Sequence, residues 1–310
     1  MRKTWVVCLL AMVCCALWGS AFPCIKVGYR LFQIDSADTA AQILFAGCRF
    51  TIAGIMVILF GSILQGCFLK PGKGDLPRIG KICLLQTVIQ YFFFYVGLAH
   101  TTGVKGSIVE ASNVFLAILV SSLIFHQEKL EQKKVIGCIV GFAGVILINL
   151  SGSNVDMSFN LTGDGFIFIS AIAYALSSVL IKKYSDKSDP VMLSGYQFTA
   201  GGLVMILIGF LMGGRIHTAS MPAMILLIYM AMISAVAYTL WGILLKYNPV
   251  SKVSIFGFTN PVFGVILSAI ILREGNVFGM KDLIALVLVS IGILIVNWAK
   301  PGAGKEKGTN

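Results

Sequence analysis

Charge is what this chain has least of. Only 12% of its 310 residues are Asp, Glu, Lys or Arg, and acids are the scarcer kind, 13 against 24 Lys and Arg. A chain that is 57% hydrophobic, with mean hydropathy +0.90, cannot fold as a soluble globule. The net charge of +11 would suit nucleic acid if the cations clustered on one water-facing surface. They instead fill short gaps between oily runs, so nucleic acid is excluded as a partner. Phosphate loops are missing too. Gly201-Gly202 and Gly213-Gly214 lack a following Gly-Lys-Ser or Gly-Lys-Thr, and no strand precedes them. The three histidines, His100, His126 and His217, fall near helix ends on separate loops, which argues against a shared metal. Eight cysteines are present, but none is spaced as CxxC. Most lie inside apolar runs and behave as small hydrophobes. No cofactor is expected.

What the chain does have is long hydrophobic runs. Crossing a bilayer takes about 20 apolar residues. Ten stretches qualify: 5–26, 39–64, 79–100, 104–126, 134–151, 164–184, 191–213, 222–246, 250–272 and 283–299. The longest connection runs from Ser151 to Gly163, too short for a soluble domain. The opening MRKTWVVCLLAMVCCALWGSAF has the layout of a signal peptide. It is read as a retained first helix, because a later segment repeats it. Counting Lys and Arg on alternate sides puts seventeen with the N-terminus and six opposite, with Arg49 inside a span. Both termini are therefore expected in the cytoplasm.

The stretch from Lys105 to Glu128 has a twin. Ser107, Glu110, Asn113, Ala117 and Ser121 share one helical face. Ser254, Gly257, Asn260, Gly264 and Ser268 match them 147 positions later, and only Glu110 meets an unlike residue. Other matches are Trp18 with Tyr174 at 156, and Phe50, Thr51 and Gly54 with Phe198, Thr199 and Gly202 at 148. Gly144 and Asn149 match Gly292 and Asn297. Five spans per copy is an odd number, so the second copy enters from the opposite side. The expectation is an all-α polytopic membrane protein whose ten transmembrane helices form two inverted five-helix repeats. They would cover 1–151 and 164–300, with a linker at 152–163 and a cytoplasmic tail at 301–310. Inverted repeats are frequent in secondary transporters, which bind solute near the midplane between the halves.

ALWGSAFPCIKVG, Cys48-Arg49-Phe50, GLAHTTGVKGSIVEASNVFLAIL, FHQEKL and GxxxGFAGVILIN in the first half, with YALSSVLIKK and NPVFGVILSAIILRE in the second, resemble the drug/metabolite transporter superfamily. Specifically, they resemble its EamA-type members. The resemblance spans almost the whole chain and implies ten helices, export or exchange of small metabolites such as amino acids, and no enzymatic activity. It also implies a proline midway along the fourth and ninth helices. Pro261 is present, but Val114 stands in the first copy.

Candidate site residues follow from polarity within spans. Glu110 is an intramembrane acid, read either as a proton- or amine-binding group or as a carboxylate neutralised by Lys105 or Arg49. Arg49 would grip a substrate carboxylate or donate to carbonyls between helices. Trp18, Tyr91, Tyr95, Tyr174, Tyr238 and Trp241 lie away from the interface belts and could line a cavity or pack the core. Asn113 and Asn260 are paired amides suited to interhelical bonds or solute. The partners expected are a small solute and the lipid bilayer of the cytoplasmic membrane, with a homodimer left open. A passive facilitator or channel, and an enzyme acting on lipid-linked substrates, stand as alternatives to a secondary carrier.

Overall fold

The structure is a computed structural model and describes residues 3–35, 37–101, 103–150, 160–216, 220–272 and 280–297. His217, the linker residues 152–159, Arg273 and the tail 301–310 lie outside them, as do the side chains of Lys105, Ser107, Asn149 and Ser268. Ten helices account for the described chain, and none of it forms a strand. They are α1 (Thr4–Leu31), α2 (Thr39–Gln65), α3 (Leu76–Ala99), α4 (103–124), α5 (Gln132–Leu150), α6 (Leu161–Tyr184), α7 (Pro190–Leu211), α8 (Met221–Tyr247), α9 (250–272) and α10 (Met280–Asn297). Among the described residues, α1, α2, α3, α6, α7 and α8 are each long and apolar enough to cross a membrane unaided, and shorter apolar stretches lie in α4 and α10.

Polar residues at the ends of the oily runs start and stop these helices. The Asp38 carboxylate accepts from Ala41 N at 2.9 Å to cap α2. Asn160 takes the first amides of α6, and Asp189 with Pro190 at the first turn opens α7. Gly66, at φ +65°, closes α2 in the left-handed conformation that a side chain disfavours. Ile63, Leu64, Leu207, Phe210 and Leu211 point outward and stay exposed, as lipid-facing residues should.

As the exchange of proline for Val114 implies, the two copies do not share a midhelix break. In α9 the turn Ile255–Phe258 tightens to a 3₁₀ helix just before Pro261. Proline cannot donate to the carbonyl four residues back, at Gly257, and its ring crowds that turn. In α4, Val114 keeps its amide and the helix continues regularly to Leu119.

Glycine sets how the halves meet. Gly54 packs against Thr199 and Gly195, while Gly202 packs against Thr51 and Gly47. Each contact reproduces the other at an offset of 148. The pairing of α5 with α10 behaves alike: Gly144 abuts Ala285 and Val289, and Gly292 abuts Gly137 and Gly141. A Cβ at any of the four reciprocal positions would strike the neighbouring backbone, so these glycines permit contact that larger residues forbid. Advancing along α2 from Gly47 through Gly54 to Gly61 means retreating along α7 from Ile206 through Thr199 to Val191. Equivalent helices therefore run antiparallel, and the repeats are inverted. The remaining principal pairs obey the same exchange, α1 packing on α9 as α6 packs on α4.

Candidate functional site

Along the seam between the repeats the side chains are aromatic. Trp18, Tyr91, Tyr95, Tyr174 and Tyr238 share one cluster with Phe50 and Phe198. Trp241 joins it through Trp18, their ring centroids 4.9 Å apart and edge to face. Trp18 also meets Tyr238 at 5.0 Å, and Tyr238 meets Phe198 at 4.9 Å. All six aromatic candidates are thus gathered into one place, one ring each from α1 and α6 and a pair about one turn apart from each of α3 and α8.

Two contacts lie on the axis that relates the halves. Phe50 stacks on its own repeat mate Phe198, with centroids 5.3 Å apart and planes 8° from parallel. The Tyr91 hydroxyl hydrogen-bonds the Tyr238 hydroxyl, and these residues are 147 positions apart, the offset of the twin helices. The spacing was present in the sequence, but only the register of α3 against α8 makes Tyr91 and Tyr238 equivalents.

Arg49 is buried and donates Nε and Nη2 to Ser234 Oγ at 3.0 and 2.7 Å. Its guanidinium also stands over the Phe50 ring at 5.2 Å. The equivalent place in the second copy holds Gln197, whose Oε1 accepts from Thr87 Oγ1 at 2.6 Å. Arg49 with Ser234 and Gln197 with Thr87 are thus one interhelical clamp built twice, α2 to α8 and α7 to α3. No carboxylate ion-pairs with Arg49 among the described residues. The acceptor is a hydroxyl of a neighbouring helix, neither a carboxylate nor a backbone carbonyl. Sequence reasoning missed Ser234, Thr87 and Gln197, because a hydroxyl or amide in an apolar run carries no mark of its partner.

Glu110 is differently placed. Its Oε1 accepts from Asn113 Nδ2 at 3.3 Å, one turn along α4, while Oε2 is shut off from solvent with no partner. The Ser170 hydroxyl of α6 lies alongside, buried, outside hydrogen-bond geometry and also unpaired. Tyr174 and Tyr238 are within electrostatic reach of this carboxylate, and Tyr91, Tyr95 and Tyr238 within reach of Arg49. Tyr238 is thus within reach of both the acid and the guanidinium. Trp18 Nε1 and Trp241 Nε1 are likewise buried without acceptors. Asn260 sits on α9 with Oδ1 buried and unpartnered, and nothing ties it to the cluster. Among the described residues no group of His, Cys, Asp and Glu could hold a metal ion.

A family model described as the EamA-like transporter family matches residues 5–150 and again 161–298. The chain belongs to that family. It is similar to an uncharacterized transporter of Archaeoglobus fulgidus, with 24% identity over 306 residues, covering 95% of this chain and 98% of the relative. An uncharacterized transporter of Bacillus subtilis, YvbV, is 26% identical over 316 residues, 95% of this chain and 92% of its own. A chloroplastic WAT1-related protein of Arabidopsis thaliana is 24% identical over 290 residues, 91% and 67% of the two chains. A solved crystal structure superposes with a TM-score of 0.77 at 16% identity, covering 95% of this chain and 97% of that one. That likeness concerns the fold alone. As an EamA-like transporter, the protein is a multi-pass membrane protein built to move a small molecule.

Proposed function

We propose that this EamA-like transporter is a secondary carrier that exports a small organic solute, an amino acid or a drug-like molecule, across the cytoplasmic membrane by alternating access. The observation that carries the reading is the unpartnered Oε2 of Glu110 beside an aromatic cluster drawn from both repeats. An ionised carboxylate without a partner in a low-dielectric interior is costly, so it persists where a proton or solute cation completes it in turn. Alternation of those two occupants at one acid couples a gradient to solute movement without a cofactor. The repeats are assigned to 1–151 and 164–300, joined by 152–163, with both termini and the tail 301–310 in the cytoplasm. Arg49 acts as a clamp in this scheme. Trp18, Tyr91, Tyr95, Tyr174, Tyr238 and Trp241 supply the apolar wall, and Asn113 the neutral polar contact beside Glu110.

Proteoliposomes test it. With labelled amino acids and aromatic amines as probes, Glu110→Gln is expected to abolish pH-gradient-driven transport while leaving the melting temperature intact. Transport in the variant with unchanged pH dependence would remove Glu110 from the coupling. Trans-stimulated counterflow is expected of a carrier, and its absence alongside rapid equilibration would mean a passive pore.

A further inference from the structure

Much of the site repeats across the axis, but its charges do not. Phe50 and Phe198 are equivalents, Tyr91 and Tyr238 are equivalents, and Trp18 is answered by another ring in Tyr174. The break is Glu110, whose mate is Gly257. Gly257 abuts Val114 where α9 meets α4, and a side chain there would press on that valine. The second copy thus has no acid at the matching place, and among the described residues the site carries a single carboxylate on one wall.

The two fixed charges are not equally available. Arg49 is committed to Ser234 in a clamp whose uncharged twin does the same work between α7 and α3. Glu110 keeps one oxygen unpaired, next to the unpaired hydroxyl of Ser170. An open acid facing aromatic rings attracts a cation twice, through the carboxylate and through the ring quadrupoles. It repels a carboxylate, and a neutral solute would leave it unsatisfied.

We propose that the site takes a monovalent organic cation, an ammonium on an aromatic or aliphatic body. Its nitrogen sits at Glu110 Oε2 and Ser170, and its body lies against Trp18, Tyr174 and Tyr238. This rests on the transporter reading and narrows its substrate to amines.

The test varies charge on one ring, using the full chain in nanodiscs. Tyramine is the cation, N-acetyltyramine the neutral form, tyrosine the zwitterion and 4-hydroxyphenylacetate the anion. Tyramine is expected to bind at least about tenfold more tightly than N-acetyltyramine, with the anion weakest. Glu110→Gln should level the first two, and Glu110→Asp should keep their order. The ranking in the unmodified protein decides the matter even if Glu110→Gln fails to fold. Equal binding of the neutral form, tighter binding of tyrosine or of the anion, or no binding by any of the four overturns the proposal. Tyramine that binds with the expected ranking but shows no counterflow upholds the recognition and overturns the carrier reading. Counterflow of tyrosine with tyramine ignored does the reverse.

Discussion

Tyr91 and Tyr238 show how one hydroxyl depends on another inside a bilayer. Each satisfies its partner, so Tyr91→Phe leaves the Tyr238 hydroxyl buried and unpaired, at a cost of about 1–3 kcal/mol. Tyr238→Phe should cost a similar amount. The double replacement should cost less than the sum of the two, because no orphan remains. Thermal melts of the three variants check this, and simple additivity would mean the hydroxyls act apart. The pair illustrates what was legible in the sequence and what was not. Both tyrosines stood out as rings within spans, but that they are equivalents bonded to each other emerges only once α3 and α8 are in register. That Arg49 bonds Ser234 and Glu110 bonds Asn113 was equally hidden, since distance along the chain says nothing about which polar groups a bundle brings together.

Whole helices were easier to read. Unbroken apolar runs mark all ten, with ends shifted by up to five residues: α1 continues past Lys26 to Leu31, because Tyr29 and Leu31 pack on the core around Phe45. The wide π turns at Cys83–Ile89, Val120–Ile124 and Leu161–Gly165 carry no compositional sign. Just after the second of these, Glu128 ties three elements together. It ion-pairs with Lys134 Nζ at 2.6 Å, accepts from Ser121 Oγ at 3.1 Å and from Ser251 N at 2.9 Å, and bonds the Ser251 hydroxyl. The FHQEKL motif thus joins the end of α4 and the start of α5 to the first turn of α9. Glu128→Gln would strand the buried Lys134 ammonium, a loss of about 3–5 kcal/mol visible as a lowered melting temperature. A variant that melts with the unmodified protein would show the knot to be idle.

Between α2 and α3, Asp75 braces the loop to the start of α7. It accepts from Ser188 Oγ at 2.6 Å, Gly72 N at 3.0 Å and Arg78 Nη1 at 2.9 Å. The Ser188 hydroxyl foremost, with the Gly72 amide and Arg78, holds this carboxyl below the usual carboxylate range against the opposing effect of burial. A pKa depressed by folding adds stability above the unfolded value of 3.8, and that stability disappears as pH falls through the folded value. Asp75→Asn should therefore melt below the unmodified protein at neutral pH. The gap should close in acid below the unfolded value, as melts across a pH series would reveal. A gap that persists undiminished in strong acid would assign the loss to shape and not to charge.

At the scale of the molecule, duplication was readable from offsets of 147 and 148, and inversion from the odd number of spans in each copy. The sequence could not place the axis itself, which runs between Phe50 and Phe198 and between Tyr91 and Tyr238. If the two faces open in turn, the halves trade shapes, and any contact joining a residue to its own mate is carried into itself. The stacked phenylalanines and joined tyrosines would then form a fulcrum, undisturbed as the molecule rocks. Contacts away from it trade places with counterparts made of other residues, as Arg49 with Ser234 does with Gln197 and Thr87, and must bear the swing. Fluorine resonances from fluorotyrosine at 91 and 238 should stay single through the cycle, while a fluorine probe beside Ser234 should split in two.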